Sequence, residues 1–409
     1  MRILYAVHGY KPAYRMGGPI HSVSAMAERL ARKGHEVLVF TTNSNLDEDL
    51  DIPTNRPIDV DGVQVWYFKR KEPIQKWLPF IPYLSKSSGF LYAPGMKAEL
   101  NRIIPTVDVV HTHMPFIYPT FAAGMAAISH KKPLFYHQRG YFDPEHLKFR
   151  GMKKRIYINV IDRPIMQRAT TLIALTEAEV MSYRRLGVRT PCRVIPNGVD
   201  ITNHSQCFDC SAYSKYDILP DEKIILFMGR LHPDKGADRL IRAFLMILKN
   251  FPKTRLVMAG PDEWGMVEKL QKEIVKSGAD NRVLFTGMIT GEAKQELLIR
   301  SDLFCLPSDG EGFSMAVLEA LANSTAVLIS PGCHFAEVEK VGAGCIVQPE
   351  PDALAKAITY LLETPEKLKE MGRKGRDLVL NHYSWDNIAE QMIDAYLEGI
   401  ERNMKVICR

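Results

Sequence analysis

The chain has 409 residues, of which 46% are hydrophobic and 24% are charged. This composition excludes a disordered or fibrous protein, and the length predicts two domains rather than one. The seven cysteines are scattered and odd in number, which excludes a disulfide framework and favours a reducing, cytoplasmic compartment.

Positive charge is concentrated in the first half of the chain. Residues 1–200 hold 28 Lys and Arg against 17 Asp and Glu, whereas the remaining residues hold 25 against 30. A basic first half favours an anionic surface or acceptor as its partner, and a solvated basic face is the alternative. No apolar run reaches the ~18 residues that a membrane-spanning helix needs, so we expect a soluble or peripheral protein.

Strands and helices alternate from the first residues. "MRILYAV" predicts a strand, and "GGPIHSVSAMAERLARKGHE" predicts a helix with Ile20, Val23 and Leu30 on one face. "EVLVFTT" predicts the next strand. Four short apolar runs follow: VDVVHTH, PLFYHQ, TTLIALT and CRVIPNG. Such runs, separated by helical patterns, predict a buried parallel sheet.

The same pattern restarts in the second half. "EKIILFMGR" predicts a strand and "GADRLIRAFLMILKN" a helix, and further strands are predicted at TRLVMAG, RVLFTG, DLFCLPS and TAVLIS. The polar stretch 197–222 predicts the domain boundary, and its lone Cys207/Cys210 pair is interpreted as part of a linker rather than a zinc site. We therefore predict an α/β protein of two doubly wound domains facing a cleft, with ligands beyond the carboxyl ends of the strands.

Two cations follow the strand "IILFMG". These are Arg230 and, in "LHPDKG", Lys235. The pair suits a diphosphate, because Arg can bind two oxygens at once and Lys supplies a point charge. A solvated basic loop is the alternative interpretation.

Two glutamates lie in "DGEGFSMAVLEAL", after the strand "DLFCLPS". A helix is predicted to begin near Ser314, and its first amides suit an anion. Glu311 precedes this helix, and Glu319 lies two turns inside it, on the face that a ligand beside the helix would reach. Since carboxylates accept bonds from sugar hydroxyls, the spacing suits a nucleotide sugar, and two surface glutamates are the alternative.

These motifs together resemble the retaining glycosyltransferases of family 4. The similarity lies in GRLHPDKG and SDGEGFSMAVLEALANSTAVLISPG, and in GGPIHSVSAMAERLARKGHEV, DVVHTH and VIPNGVD of the first half. It spans nearly the whole chain. The resemblance implies a GT-B fold with a Rossmann-like acceptor-side domain over 1–200, a Rossmann-like nucleotide-sugar domain over 201–384, and a C-terminal helix over 385–409 that returns to the first domain.

The resemblance also implies roles for individual residues. Arg230 and Lys235 would hold the diphosphate, Glu319 would take the ribose hydroxyls, and Glu311 would touch the donor sugar. The other implied donor contacts are the amides of Phe313, Ser314 and Met315, the base-flanking Gly287, Met288 and Ile289, the phosphate-facing Gly17 and Gly18, and the cleft histidine His113. Three further expectations concern His111, which would pack or hydrogen-bond within the sheet, and Arg139 and Asp143, which would contact the acceptor or the cleft.

The sequence departs from the family at two turns. Asn323-Ser324-Thr325 stands where relatives have a Gly and often a Pro, and Cys333-His334 stands where many have a glycine-rich turn. The first change affects a turn between a helix and a strand. The second raises a question about the conformation of the donor loop.

The resemblance implies a retaining transfer of a hexose-type sugar from a nucleotide diphosphate donor, expected to be UDP-linked, to a saccharide or lipid-linked acceptor. Cell-surface polysaccharide or glycoconjugate synthesis is the expected setting. It implies no covalent nucleophile, because the leaving phosphate accepts the proton of the acceptor. It also implies no metal, because protein cations replace it, and no cofactor. No nucleic-acid partner is expected.

Four other functions compete with this interpretation. A metal-dependent GT-A enzyme needs an Asp-x-Asp at a strand end, but the candidates Asp49-Leu50-Asp51 and Asp59-Val60-Asp61 lie in a polar, acidic stretch. A dinucleotide oxidoreductase needs GxGxxG after a strand, and neither half has it. A sugar-nucleotide epimerase of the same fold and a non-catalytic partner subunit stay open.

Aromatic and basic residues alternate over 65–95, in "VWYFKRKEPIQKWLPFIPYLSKSSGFLYAP". Aromatic rings favour the lipid headgroup boundary, and basic residues favour anionic lipid. One interpretation is an irregular lid or short element that docks on the cytoplasmic face of a membrane. The other is that these aromatic residues line an acceptor pocket.

Overall fold

The computed structural model describes residues 1–46, 48–71, 90–143, 147, 151–201, 216–262 and 264–407. These residues form two compact units. The first comprises Met1–Asn197 together with Trp385–Arg409, and the second comprises Gly198–Ser384. Each unit contains a sheet of mainly parallel strands flanked by helices, so the predicted pair of doubly wound α/β domains is confirmed.

The strands of the first unit form an eight-stranded sheet and a small hairpin. They are β1 (Arg2–Ala6), β2 (Glu36–Thr42), β3 (Ser44–Asn45), β4 (Glu48–Asp49), β5 (Pro57–Val60), β6 (Val63–Phe68), β7 (Val109–His113), β8 (Leu134–His137), β9 (Thr171–Ala174) and β10 (Cys192–Val194). The order in the sheet is β10-β9-β8-β7-β1-β2-β6-β5. All its neighbours are parallel except the edge pair β5 and β6.

The helices of the first unit connect these strands and cover the sheet. They are α1 (Gly18–Arg32), α2 (Gly95–Ile103), α3 (Tyr118–Ser129), α4 (Gly151–Tyr157), α5 (Arg163–Arg168), α6 (Glu177–Arg185) and, later in the chain, α14 (Trp385–Ile407). A π-helical segment, Ile158–Asp162, joins α4 to α5.

The second unit has a six-stranded parallel sheet. Its strands are β11 (Lys223–Met228), β12 (Thr254–Ala259), β13 (Val283–Gly287), β14 (Leu303–Leu306), β15 (Ala326–Ile329) and β16 (Gly344–Ile346), in the order β13-β12-β11-β14-β15-β16. Its helices are α7 (Ala237–Ile247), α8 (Met266–Lys276), α9 (Gly291–Arg300), α10 (Met315–Ala322), α11 (Glu337–Lys340), α12 (Pro351–Glu363) and α13 (Pro365–His382).

Each sheet has a point where the strand order changes direction. It lies between β1 and β7 in the first unit and between β11 and β14 in the second. Crevices form beyond the carboxyl ends of strands at such points, and ligands of doubly wound sheets bind there. The loops after β1, β7, β11 and β14 are therefore the first places to look for a site.

Strand β6 was missed from the sequence. Its residues Trp66, Tyr67 and Phe68 were assigned to the lid, yet they are buried and pair with β2. Three successive aromatic residues hide the alternation of a strand, and here both faces of the strand are covered. These three rings therefore cannot meet a membrane or line a pocket. Residues 72–89 of the predicted lid lie outside the described residues.

Helix α14 lies on the first unit. It buries Trp385, Ile388, Met392 and Tyr396 at helical spacing. At Gly399 a Cβ atom would lie 2.4 Å from the ring of Phe135 in β8, so only glycine lets the helix backbone approach the sheet this closely. A search of the described residues for a helix with the length and hydropathy to cross a membrane finds none.

Candidate active site

Three glycines close the strand ends of the second unit. The amide of Gly229, after β11, donates to the carbonyl of Ala259 at 2.9 Å. The amide of Gly260 donates to the carbonyl of Gly287, also at 2.9 Å. A Cβ atom at Gly260 would lie 1.9 Å from the Gly229 carbonyl oxygen. The backbones after β11, β12 and β13 therefore form a compact edge, and Arg230 projects from it as an exposed residue.

Lys235 and Glu311 form an ion pair. Lys235 lies in a single 3-10 turn (Pro233–Lys235) after β11, and its Nζ donates to Glu311 Oε1 at 2.6 Å. The side chains are 18% and 14% exposed, so the pair is shielded but still open to a ligand. The structure thus joins two of the predicted residues directly.

The loop after β14 packs on the loop after β11. The amide of Asp309 donates to the carbonyl of Asp234 at 2.7 Å, and the hydroxyl of Ser308 donates to the same carbonyl at 3.1 Å. Gly236 makes this approach possible, because it is left-handed (φ 69°) and a Cβ atom there would lie 2.2 Å from the Pro307 carbonyl oxygen. These contacts fix Lys235 opposite Glu311.

The loop after β15 supports Glu311 from the other side. Its Gly332 accepts a hydrogen bond from the Glu311 amide at 2.9 Å. The next turn contains the departure Cys333-His334, and His334 adopts the left-handed conformation, with φ 52°. At the other departure, Ser324 has φ 62°. Both turns therefore keep a conformation that favours glycine, although neither residue is one.

Helix α10 begins where the sequence predicts. Ser314 is its N-cap, and the hydroxyl of Ser314 accepts from the Val317 amide at 3.4 Å. The amides of the first turn, Met315 among them, have no acceptor within the helix and favour an anion. The Phe313 ring packs against Phe335, with centroids 5.1 Å apart, which anchors the approach to the helix.

Glu319 has a partner that the sequence analysis missed. Its Oε1 accepts from Lys294 Nζ of α9 at 2.7 Å, and the side chains of Lys294 and Glu319 are 25% and 20% exposed. One carboxylate has about four lone-pair positions, so this bond leaves capacity for two hydroxyls. Lys294 gives no signal in the sequence, where it is one lysine of an ordinary amphipathic helix.

The predicted base-flanking residues lie at the end of β13. Gly287 has φ 67°. Met288 is 72% exposed, and Ile289 is partly buried. A large exposed apolar side chain beside the strand-end loops could cover the flat face of a base.

In the first unit, His113 ends β7 and is buried. Its Nδ1 accepts a hydrogen bond from Arg139 Nε at 3.1 Å. Arg139 also donates from Nη1 to Ser22 Oγ at 2.9 Å and to Asn197 Oδ1 at 3.3 Å. Arg139 thus ties together the ends of β7 and β8, helix α1 and the segment after β10. The Asp143 amide donates to the carbonyl of Gly140 at 3.3 Å, in the turn that follows Arg139.

Gly17 and Gly18 lie at the start of α1. Gly17 has φ 99°, which only glycine adopts readily, and it precedes the first helical residue, Gly18. A Cβ atom at Gly18 would meet no atom within 4 Å. The structure therefore gives a conformational reason for Gly17 and none for Gly18.

His111 lies two residues before His113 in β7, and the two rings stack with centroids 4.1 Å apart. Its Nδ1 shares a hydrogen bond with the Tyr396 hydroxyl at 2.7 Å, so its partner is in α14 rather than in the sheet. Ring nitrogens of His111, His113 and His137 lie within 4.8 Å of one another. The positive charge of the Arg139 guanidinium, which lies beside this cluster, disfavours binding of a metal cation there.

Glu179 of α6 is a further residue that the sequence analysis missed. Its Oε2 accepts from the Leu175 amide at 2.7 Å. Burial raises the pKa of its carboxyl to about 7, against the opposing effects of backbone hydrogen bonds and the charge of Arg139. Sequence patterns give no signal for this shift, because Glu179 reads as part of a polar first helical turn.

Comparison with known proteins identifies the family. Residues 16–203 match the model of Glycosyltransferase Family 4, and residues 213–378 match the model of Glycosyl transferases group 1. The chain is 28% identical to an uncharacterized glycosyltransferase of Methanocaldococcus jannaschii, with 98% of this chain and 99% of that protein covered. It is 23% identical to the alpha-monoglucosyldiacylglycerol synthase of Streptococcus pneumoniae, with 98% and 87% covered.

Solved structures show the same architecture. The crystal structure of Anabaena HepE in complex with UDP matches with a TM-score of 0.74 at 20% identity, covering 97% of this chain and 100% of that one. The same protein has also been solved in complex with UDP-glucose. The two family models, over residues 16–203 and 213–378, show that the chain belongs to the glycosyltransferases of family 4, and the solved structures show that it has the GT-B fold.

Proposed function

We propose that this glycosyltransferase transfers a hexose-type sugar, with retention of configuration, from a UDP-linked donor to a saccharide or lipid-linked acceptor in the synthesis of a cell-surface polysaccharide or glycoconjugate. The observation that carries the proposal is the Lys235–Glu311 pair, 2.6 Å apart, held between the loops after β11 and β14. It combines a phosphate-binding cation with a hydroxyl-binding carboxylate.

The cations would stabilise the leaving diphosphate. Lys235 Nζ has three donors, so it can bind Glu311 and a phosphate oxygen together. Arg230, exposed just after β11, and the first amides of α10 would add donors as negative charge develops. Protein cations take the place that a metal ion has in other transferases, so we expect activity in excess EDTA.

Glu311 is not assigned as a covalent nucleophile. The bond to Lys235 occupies one of its oxygens, and its role in the proposal is to hold a hydroxyl of the donor sugar. Retention then follows from attack on the face that the diphosphate leaves, with a phosphate oxygen accepting the proton of the acceptor hydroxyl.

UDP is the favoured nucleotide. Anabaena HepE, which shares the fold, has been solved with UDP and with UDP-glucose. In this chain, the spare lone pairs of Glu319 suit the ribose hydroxyls, and the exposed Met288 suits the face of a base. Both features lie in the second unit.

The acceptor side points to lipid. One relative is, by its name, a synthase of a glucosyldiacylglycerol. The first unit of this chain also exposes an apolar stripe, Met152, Ile156 and Val160, at 78%, 59% and 68%. Basic residues lie in the same segment: Lys153, Lys154 and Arg155. We propose that this stripe places the protein peripherally on an anionic, cytoplasmic membrane face.

A thermal-shift screen with UDP, GDP, ADP and their sugar derivatives tests the proposal, because a ligand of the folded state raises its melting temperature. The largest shift is expected with UDP or a UDP-sugar. Release of UDP from the best donor is then measured with lipid and saccharide acceptors, with and without EDTA. A protein that binds no nucleotide, or that turns over only after manganese or magnesium is restored, contradicts the proposal.

A further inference from the structure

We propose that Arg139 is a positioning residue that holds His113 as the neutral imidazole with its proton on Nε2. In this form, His113 presents a fixed donor to a sugar hydroxyl and cannot act as a base through Nε2. The part that concerns a sugar rests on the function proposed above. The part that concerns the proton does not.

The hydrogen-bond chemistry of the pair determines the tautomer. A guanidinium group has five N–H donors and no acceptor. Arg139 Nε lies 3.1 Å from His113 Nδ1 with hydrogen-bond geometry, so Nδ1 must supply a lone pair. The ring proton then resides on Nε2. An imidazolium carries protons on both nitrogens, so its Nδ1–H would face the Nε–H of Arg139, and neither group could accept a hydrogen bond.

Arg139 is itself held firmly. Its Nη1 donates to Ser22 Oγ and Asn197 Oδ1, at 2.9 and 3.3 Å. Its backbone is left-handed, with φ 53°, and Gly140 follows with φ 81°. A non-glycine residue in this region costs about 1–2 kcal/mol and persists where the surroundings fix it. The strained turn after β8 thus directs the guanidinium to His113.

Nε2 of His113 is a buried donor that lacks a hydrogen-bond partner in the described part of the chain. The His113 side chain is 1% exposed, and this nitrogen has no hydrogen-bond partner among the residues that the structure describes. A buried donor without a partner is unfavourable. A hydroxyl of a bound sugar would satisfy it.

The surroundings also oppose a positive charge on His113. Burial lowers the pKa of His113 well below its ordinary value, and the neighbouring charges add to this. The titratable groups that face it from the elements around it are His8, His111, His137, Arg139 and the ring of Tyr5. Arg139 stays charged at neutral pH, because burial lowers its pKa only to about 10. His113 is therefore expected to keep one protonation state from pH 5.5 to 8.5.

Nuclear magnetic resonance of the full chain, labelled with ¹⁵N-histidine, tests the tautomer. The chain has 12 histidines, and the spectrum of His113→Gln identifies the signals of His113. In the wild type, we expect long-range ¹H–¹⁵N correlations of an Nε2–H imidazole that do not move between pH 5.5 and 8.5. A proton on Nδ1, or titration near the ordinary histidine pKa, overturns the inference.

Three variants test the role of Arg139. Arg139→Gln introduces an amide that can donate or accept, so signals of the second tautomer are expected. Arg139→Lys keeps a donor-only group, and the Nε2–H form should return. The exposed Arg168→Gln is the matched control and should leave the spectrum unchanged. An Arg139→Gln spectrum identical to that of the wild type contradicts the inference, and if this variant does not fold, the wild-type and Arg139→Lys spectra decide.

Kinetics separate the inference from the proposed function. Arg139→Gln should lower kcat/KM with a UDP-sugar by about tenfold, the value of one hydrogen bond, while the thermal shift with UDP alone stays unchanged. Arg139→Lys should recover part of the rate. A confirmed tautomer in a protein without transferase activity refutes the function and leaves the proton assignment standing. An unchanged rate in an Arg139→Gln protein with a mixed tautomer refutes the positioning role.

Discussion

Lys235 and Glu319 each form an ion pair within the second unit. Lys235 binds Glu311, and Glu319 binds Lys294. Each pair is less than one-third exposed, so water screens it only in part, and each keeps spare donors or lone pairs. The pairs hold the two carboxylates in place before the ligand arrives, which reduces the entropy that binding would otherwise lose.

Removing either phosphate-binding cation should slow transfer. We expect Arg230→Ala and Lys235→Ala each to lower kcat by ~100-fold or more, because each removes a group that stabilises charge in the transition state. Steady-state rates with the donor found by the thermal-shift screen provide the measurement. Lys253→Ala is the control, since that side chain is 74% exposed and pairs with Asp221. Near-normal rates in both test variants contradict the diphosphate assignment.

Glu179 should make stability depend on pH. Its pKa is about 7 in the folded protein against 4.5 for the free side chain. Between these values, the unfolded chain loses the proton while the folded chain keeps it, so the free energy of unfolding falls as pH rises and levels off above about 7. Glu179→Gln removes this pH-dependent contribution to the free energy of unfolding, which is on the order of 3 kcal/mol.

Urea unfolding at pH 5 and pH 7.5 measures this effect. The stability of Glu179→Gln relative to the wild type should increase with pH. The exposed Glu177→Gln, on the same helix, should show no such trend. Parallel pH profiles for the wild type and Glu179→Gln are the contrary result.

At the scale of elements, the contact between the loops after β11 and β14 depends on Gly236. Gly236→Ala adds a methyl group 2.2 Å from a backbone carbonyl in a left-handed residue. We expect a loss on the order of 3 kcal/mol in the free energy of unfolding, and weaker binding of UDP, because Lys235 must move. Denaturant unfolding and the thermal shift with UDP measure both.

Gly278→Ala is the matched control for Gly236→Ala. Gly278 is also left-handed, with φ 66°, but a Cβ atom there meets open space. The control should therefore lose only about 1–2 kcal/mol of unfolding free energy, from backbone strain alone, and its UDP binding should be unchanged. Equal losses for the two variants would show that the loop contact contributes nothing.

The apolar stripe of α4 and the π-helical segment should bind vesicles. Replacing Met152, Ile156 and Val160 together with Ser should release the protein from vesicles that contain anionic lipid, because each side chain loses its apolar contact with the bilayer. Co-sedimentation at low and high salt is the measurement, and binding by the wild type should weaken as salt rises. Met246→Ser with Val275→Ser, exposed in the second unit, is the control.

Wild-type protein that stays in the supernatant at low salt, while active on a soluble acceptor, rejects membrane docking.

Most strands of the two sheets could be predicted because they are short apolar runs between helical patterns, but β5 (Pro57–Val60) lies in a stretch that was interpreted as polar and acidic. β6 was missed because its aromatic residues follow one another, and β16 (Gly344–Ile346) because it has only three residues. Lys235 and Glu311 could be named from a motif, but their bond could not, since it joins loops 76 residues apart. The same holds for Lys294 with Glu319, and for His113 with Arg139. Residue type predicts which groups can bind, whereas only the fold decides which of them meet.

At the scale of the whole molecule, the first unit is assembled from two separate stretches of the chain. Tyr396 of α14 connects them, since its hydroxyl bonds to His111 Nδ1 at 2.7 Å and to the Tyr5 hydroxyl at 3.0 Å. We expect Tyr396→Phe to destabilise the first unit by about 1–3 kcal/mol, because it leaves two buried polar groups without this partner.

Hydrogen exchange in β1 and β7 measures that loss within the first unit. Protection should fall there and stay unchanged in β11 and β14 of the second unit. Leu397→Ala is the control, since the side chain beside Tyr396 is 48% exposed. Unchanged protection in Tyr396→Phe is the opposing outcome.

Because these two stretches are far apart in the sequence, they are synthesised at different times. His111 leaves the ribosome 285 residues before Tyr396, and the whole second unit is translated in the interval. At ~5–20 residues per second, this interval lasts roughly 15 to 60 s. During that time the sheet face under Gly399, including the ring of Phe135, lacks its cover. The unit that is translated first is thus the unit that is completed last, and its nascent form presents an apolar surface to chaperones for most of translation.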